Sequence, residues 1–212
     1  MSERNDRTEI RVMQAKELRF LPVEEGPESG NTLAGYAAVF NADSEDLGGF
    51  VETIDPAAFN RSLAAGADVR ALINHDSNLV LGRSTSGTLR LSTDEIGLRF
   101  EVDLPETSYA RDLKVSMERG DISQCSFMFQ VVKDEWVSRD GIARRRLLDV
   151  DLMDVSVVTF PAYPQTTAGV RALAEQMRNT GEGGPEPMAE ETPQERADDS
   201  ALKMKITILE KL

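Results

Sequence analysis

Residues 127–150, FMFQVVKDEWVSRDGIARRRLLDV, predict a long antiparallel β-hairpin. Two runs rich in β-branched and aromatic residues, 127–137 and 142–150, flank SRDG, and an Asp-Gly pair is typical of a tight hairpin turn. The other predicted strands are 87–92 and 97–104, which form a second hairpin around STDEIG, and 9–20, 33–40 and 69–73. Because strands and helices do not alternate regularly, the predicted class is α+β, built on an antiparallel sheet or barrel.

Three helices are predicted beside these strands. Asp55 followed by Pro56 supplies a cap and a first-turn proline, and Gly66 can end the helix that they begin. Apolar residues three or four apart predict the other two helices. Their apolar faces are Tyr109, Leu113 and Met117 in one helix, and Val170, Leu173, Ala174 and Met177 in the other.

Length and composition indicate one globular domain, which we assign to residues 1–178. The chain has 212 residues, of which 40% are hydrophobic and 29% charged, and this is enough for one sizeable core. No apolar run approaches the roughly 20 residues of a membrane span, and the N-terminus is polar where a signal peptide would be apolar. We therefore expect a cytoplasmic protein with no membrane contact. Cys125 is the only cysteine, which excludes an intramolecular disulfide and a multi-cysteine metal site.

Acidic residues are concentrated near the C-terminus. The formal net charge is −13, which argues against nucleic acid as the main ligand, because phosphate binding requires a basic surface. Residues 181–200 hold seven acidic groups and one arginine, with three Gly and three Pro, a composition typical of disorder. We predict an acidic disordered linker at 179–200. It precedes a short apolar and basic segment at 201–212, ALKMKITILEKL.

The strand around Ser126 has two distinct faces. Successive strand residues point to opposite sides, so Cys125, Phe127 and Phe129 share an apolar face, whereas Ser126 lies on a more polar one. Ser126 is thus placed to meet solvent or substrate, although the strand pattern alone favours a serine that bonds to the backbone. A thiol buried among phenylalanines is a poor nucleophile, which disfavours Cys125.

His75 is the only histidine of the chain. It follows the apolar strand VRALI in the polar segment NHDSN, and such strand ends often carry binding or catalytic groups. A serine nucleophile needs a base, and imidazole, with an unperturbed pKa of about 6.5, suits that role near neutral pH. If the chain uses serine chemistry, His75 must be the base; the alternative is a partly exposed loop histidine.

Asp154 lies in an apolar strand, LLDVDLMDVSVVTF, where alternation places Met153, Val155 and Val157 inward and Asp154 on the other face with Leu152 and Ser156. A carboxylate among so many apolar groups needs a partner. A histidine N–H is one candidate, and it would orient the imidazole for catalysis. A backbone amide or an arginine, such as those at 144–146, is the other.

Five segments, in order along the chain, resemble the prohead (capsid-maturation) serine proteases of tailed bacteriophages. They are DLGGFVETIDPAAF (46–59), ALINHDSNLVLGRS (71–84), DEIGLRFEVDLPET (94–107), DISQCSFMFQVV (121–132) and DVSVVTFPAYPQT (154–166). The resemblance implies the herpesvirus-protease-like fold, an antiparallel β-barrel-like core surrounded by a few helices. It also implies a serine nucleophile and a histidine base, which map onto Ser126 and His75.

The third catalytic residue departs from the pattern of the family. The herpesvirus relatives use a second histidine, which this chain lacks, and the phage family commonly has glutamate where this sequence has Asp154. We assign Asp154 as the third member, with a structural aspartate as the alternative. Backbone amides near Ser126 or the loop residue Arg83 are candidates for oxyanion binding.

The function implied by the resemblance is that of a serine endopeptidase in capsid maturation. It would act inside the assembling prohead, in the host bacterial cytoplasm, on the scaffold or the N-terminal scaffolding segment of the major capsid protein, and on itself. No cofactor or metal is implied, and a homodimer is an analogy with the herpesvirus enzymes. Two alternatives remain: a noncatalytic assembly protein that retains the protease fold, and a cysteine peptidase that uses Cys125.

Overall fold

The computed structural model describes residues 5–14, 16–22, 29–139, 141–160 and 175. These residues form ten strands, two α-helices and one 3-10 turn, Ser84–Ser86. The strands are β1 (Asn5–Gln14), β2 (Lys16–Pro22), β3 (Ser29–Val39), β4 (Phe50–Ile54), β5 (Arg70–Ile73), β6 (Asp76–Arg83), β7 (Leu89–Thr93), β8 (Gly97–Asp103), β9 (Gln124–Arg139) and β10 (Ile142–Val158). The helices are α1 (Asn60–Ala64) and α2 (Ser108–Glu118).

Two sheets make up the fold. The larger has the strand order β1-β9-β10-β5-β6, with β4 also paired to β10, and the smaller has the order β2-β3-β8-β7. The 17-residue strand β10 is long enough to pair with β9 along one edge and with two strands along the other. Strand β4 pairs with its first part, from Ala143 to Leu147, and β5 with its last part, from Asp154 to Val157.

The prediction of a β-rich chain with few helices is confirmed, but the antiparallel barrel needs correction. Both β4 and β5 run parallel to β10, whereas the hairpin pattern predicted antiparallel neighbours throughout. The larger sheet curls into a half-barrel and does not close. Among the described residues β1 and β6 are its two edges, and closure would require these edges to pair.

The two predicted hairpins are confirmed as β7–β8 and β9–β10. The strand predicted at 9–20 is instead two strands, β1 and β2, which belong to different sheets. Helix α2 carries the predicted face of Tyr109, Leu113 and Met117, and α1 is shorter than predicted because a turn precedes it.

The helix predicted at 170–177 and the linker and tail predicted at 179–212 lie outside the described residues, Glu175 excepted. No helix among those residues is long and apolar enough to span a bilayer.

The core packs between β9, β10, β5 and the smaller sheet. Phe127 and Phe129 of β9 are fully buried, and their rings stack 5.0 Å apart. Phe59, next to α1, meets Phe127 edge-on at 5.7 Å. Burial of each such ring contributes about 1.5–3 kcal/mol. This packing joins the start of α1 to the core face of β9.

Four buried ion pairs, formed by two glutamates and two arginines, tie β1 to β4 and β10. Glu52 accepts hydrogen bonds from Arg11 Nε at 2.7 Å and from Arg145 Nη1 at 3.1 Å, and Glu9 accepts from both arginines. All four side chains are at most 6% exposed. Burial raises the pKa of Glu9, but the hydrogen bonds and charges of Arg145 and Arg11 outweigh that effect and hold the pKa below its usual 4.5. Arg145 also donates to Asp134 Oδ2 at 2.8 Å, so a third carboxyl group contacts the cluster.

We expect Glu52→Gln to lower the free energy of unfolding by about 3–5 kcal/mol, the usual loss when one partner of a buried ion pair is removed. The amide keeps the shape of the side chain but leaves Arg11 and Arg145 with an excess of buried positive charge. Urea unfolding measures the change. Glu101→Gln is the matched control, because Glu101 pairs with more exposed arginines, and it should cost less than about 1 kcal/mol. Equal losses in the two variants would contradict a stabilising cluster.

Candidate active site

Three neighbouring strands bring the predicted site residues together. Ser126 lies on β9, Asp154 on β10, and His75 in the turn between β5 and β6. Because β10 lies between β9 and β5 in the sheet, Asp154 lies beside both other residues. The structure thus joins three side chains that are up to 79 residues apart in sequence.

Two short hydrogen bonds connect the three side chains in a line. His75 Nε2 is 2.7 Å from Ser126 Oγ, and His75 Nδ1 is 2.7 Å from Asp154 Oδ1. An ionised carboxylate can only accept, so Nδ1 carries the proton that it donates to Asp154. In the neutral ring Nε2 is then an acceptor, and the hydroxyl of Ser126 can donate to it. This is the arrangement in which an imidazole takes the proton of a serine.

A β-bulge orients Asp154 toward the site. In the pairing of β10 with β9, Leu152 lies opposite Phe129 and Asp154 opposite Met128, so Met153 is an extra residue. The predicted phase of this strand was therefore wrong at its start: Met153 is 39% exposed, and Leu152 belongs to the core. Bulges of this kind commonly redirect side chains beside active sites.

His75 lies in a tight turn with a constrained backbone. Asn74 and His75 have φ of 52° and 58° and connect Ile73 to Asp76, which are paired across β5 and β6. Only these two residues form the predicted loop, because β6 starts at Asp76. Non-glycine residues are uncommon at such φ, although Asn and His are enriched there. The turn is held by Asn74, whose side chain donates to Thr159 Oγ1 at 3.0 Å and accepts from the main-chain N–H of Thr159 at 2.9 Å.

Ser126 is buried in this conformation. Its exposed fraction is 0% and that of Asp154 is 4%, so the expectation that Ser126 meets solvent is not met. Ser126 Oγ also lies 2.9 Å from the carbonyl oxygen of Arg11 on the neighbouring strand β1. The hydroxyl has one proton, so it donates either to His75 or to Arg11. When both ring nitrogens of His75 are protonated, only the carbonyl can accept it.

The arginines considered as site residues do not contact Ser126, His75 or Asp154 through their side chains. Arg83 pairs with Asp68 through two bonds of 2.6 Å, at the end of β6 remote from His75. This placement does not support Arg83 as a donor to an oxyanion at Ser126. The arginines at 144–146 bind acidic groups other than Asp154, namely Asp43, the buried pair Glu9 and Glu52, Asp134, and Asp55. Among the described residues no group of three or more His, Cys, Asp and Glu side chains could hold a metal ion.

Cys125 belongs to the core face, as predicted. It is fully buried, and burial raises the pKa of its thiol to about 12. The nucleophilic thiolate is therefore scarce near neutral pH. A cysteine peptidase would need its thiol on the strand face that carries Ser126, whereas Cys125 lies on the core face.

We expect Cys125 to resist thiol reagents in the native protein near neutral pH, and to react once denaturant exposes it. A colorimetric thiol assay in native and denaturing buffer measures the contrast. Rapid native modification together with loss of activity would contradict the assignment of Cys125 to the core.

Two contacts of the site did not emerge from the sequence. Ser156, two residues after Asp154, contacts both Asp154 and His75. Its position on the same strand face as Asp154 was visible, but the pattern gave it no partner. A bond from Ser126 to the backbone was the alternative that the strand pattern offered, but the pattern could not say which carbonyl accepts it, because the acceptor, Arg11, is on another strand.

A hydroxyl, an imidazole and a carboxylate joined in line on a β-rich scaffold are the arrangement of serine hydrolases that use a histidine base. The chain belongs to the caudovirus prohead serine protease family, whose model matches residues 20–182, and the resemblance stated above is thereby confirmed. The matched range contains Ser126, His75 and Asp154.

One solved structure similar to this chain is the capsid assembly protease of bacteriophage T4. The two chains are 8% identical and superpose with a TM-score of 0.43, over 72% of this chain and 99% of the other. No curated protein matches the chain.

Proposed function

We propose that this chain is a serine endopeptidase of the phage prohead, with Ser126 as nucleophile, His75 as general base and Asp154 as the residue that orients His75. The observation that carries the proposal is the pair of 2.7 Å bonds that links the three side chains through the only histidine. Membership of the prohead serine protease family supports the same reaction class.

The proposed roles account for each proton transfer of peptide hydrolysis. Ser126 Oγ attacks the scissile carbonyl carbon while its proton passes to His75 Nε2, and Asp154 stabilises the imidazolium that forms. The imidazolium then protonates the leaving amine, so the C–N bond breaks and an acyl-enzyme remains. Water, deprotonated by the same Nε2, attacks the ester and releases Ser126 with its proton restored.

The proposed substrates are proteins of the immature capsid. They are the scaffold, or the N-terminal scaffolding segment of the major capsid protein, and the protease itself, cleaved inside the prohead in the host cytoplasm. The support is the family membership, because a prohead is the shell in which these proteins are packed together.

Residues 179–212 are proposed to be a self-cleavage region or a segment that recruits the enzyme into the shell. The support is their composition: an acidic stretch rich in Gly and Pro is followed by an apolar and basic end. Deletion of 179–212 should impair capsid processing but leave cleavage of a short peptide intact. Normal maturation with the truncated protein would rule out this role.

The test is co-expression with the capsid protein and its scaffold, comparing the wild type, Ser126→Ala and Cys125→Ala by intact mass of every chain. Truncated products in the wild type and Cys125→Ala, but not in Ser126→Ala, are expected. Identical full-length masses in all three, in the presence of assembled proheads, would contradict an endopeptidase. Loss of processing in Cys125→Ala alone would transfer the role to the thiol.

A noncatalytic assembly protein is the second candidate. The complete burial of Ser126 and its contact with the carbonyl of Arg11 favour it, because a substrate carbonyl must come within bonding distance of Oγ. The same experiment separates the two candidates: with an assembly protein, every chain keeps its full-length mass with or without the hydroxyl of Ser126.

A further inference from the structure

One buried hydroxyl contacts two members of the candidate triad and has no part in the proposed proton transfers. Ser156 lies on β10, two residues beyond Asp154 and directly opposite Ser126 in the pairing with β9. Its exposed fraction is 3%. Ser156 Oγ is 2.9 Å from Asp154 Oδ1, 3.2 Å from His75 Nδ1 and 3.3 Å from the main-chain nitrogen of His75.

The direction of each bond follows from the protons available. The main-chain N–H of His75 can only donate, so Ser156 Oγ is its acceptor. Nδ1 of His75 carries a proton and donates it to Asp154 over the shorter distance, so it cannot accept from Ser156. The hydroxyl proton of Ser156 therefore goes to Asp154 Oδ1. One oxygen thus links the backbone of His75 to the carboxylate that binds its ring.

The backbone of His75 needs such a link. Its φ of 58° lies in a sparsely populated region for a residue with a side chain, and such conformations persist where surrounding contacts enforce them. The bonds of Asn74 with Thr159 hold the first residue of the turn. For His75 itself, the main-chain bond that the structure provides is the one to Ser156.

We propose that Ser156 is a positioning residue, which holds the backbone and ring of His75 in line with Ser126 and supplies a second donor to Asp154. The inference rests on the proposed function and adds a residue to its site. Ser156 acts through His75 and Asp154, and it does not contact a substrate. Its loss should therefore affect the chemical step and leave substrate binding unchanged.

We expect Ser156→Ala to lower kcat by about 10- to 100-fold with KM unchanged, the range for loss of one hydrogen bond to a charged group. Ser156→Thr keeps the hydroxyl on a β-branched side chain that suits a strand, and should recover most of the lost activity. If Ser156→Ala does not fold, Ser156→Cys takes its place, because a thiol fills the same position but is a weak donor.

A spectroscopic readout distinguishes positioning from general support of the fold. The chain has one histidine, so ¹⁵N-histidine labelling reports on the ring of His75 alone. The wild type should show the tautomer protonated at Nδ1. Ser156→Ala should shift the Nδ1 signal and reduce the share of that tautomer, and Ser156→Thr should restore both.

Ser62→Ala is the matched control. Ser62 is another buried serine, 3% exposed, whose Oγ accepts from the main-chain N–H of Leu152 on the same strand β10. Its replacement should leave the signals of His75 and kcat unchanged. The proposal is overturned if Ser156→Ala keeps kcat within two-fold and the His75 signals in place, or if Ser62→Ala changes both as strongly. If the wild type cleaves nothing, the proposed function fails, while the NMR comparison still decides whether Ser156 holds the ring.

Discussion

Replacing His75 with alanine is expected to lower kcat for a peptide substrate by on the order of 10⁶-fold, as expected for loss of the base from a serine triad. The chain has no second histidine that could take over, and Nε2 is the group placed 2.7 Å from Ser126 Oγ to receive its proton. Single-turnover kinetics measure the chemical step directly.

The double variant of His75 and Ser126 tests this prediction most sharply, because the effects of the two replacements should not add. Because Ser126 and His75 act on the same proton, the double variant Ser126→Ala/His75→Ala should be no slower than either single variant. His75→Asn is the control for the fold: asparagine tolerates the φ of this turn but cannot act as a base, so it should be equally inactive at wild-type thermal stability. A His75→Ala enzyme that keeps more than about a hundredth of its activity would contradict the role of His75 as the base.

Alternation along the chain predicted the two faces of β9 better than those of β10. Alternation correctly placed Ser126 on one face of β9, and Cys125 and Phe127 on the other, because β9 pairs without interruption over this stretch. The same alternation failed at Met153, because one extra residue in β10 reverses the phase. A bulge depends on the partner strand, and the sequence of one strand does not contain that information.

The parallel pairings were also beyond sequence reasoning. Phe50 of β4 precedes its partner Ala143 by 93 residues and Arg70 of β5 precedes its partner Asp154 by 84, and both strands run parallel to β10. The predicted strand 69–73 was correct as a strand, but an apolar run says nothing about its neighbour or its direction. For the same reason, the contact between Ser126 and the carbonyl of Arg11 depends entirely on where β1 docks.

The second large loss of kcat is expected from replacement of Asp154. We expect Asp154→Asn to lower kcat by about 10⁴-fold, the loss seen when the carboxylate of such a triad becomes an amide. If the amide of asparagine donates to Nδ1, the proton of the ring moves to Nε2, and the acceptor for Ser126 is lost. The carboxylate also accepts the hydroxyl of Ser156, and this bond is to a neutral group in the variant.

Asp154→Glu is the matched comparison, because it keeps the charge and changes only the length. The site leaves little room, since Asp154 is 4% exposed and its Oδ1 is already 2.7 Å from Nδ1, so one more methylene must displace the carboxylate or the turn that carries His75. We therefore expect Asp154→Glu to be slower than the wild type but well above Asp154→Asn. If Asp154 were only structural, the isosteric amide would be the milder change, and Asp154→Asn would retain more activity than Asp154→Glu. Measuring kcat for the two variants, with thermal unfolding to confirm the fold, decides whether the carboxylate acts through its charge on His75 or only through its packing.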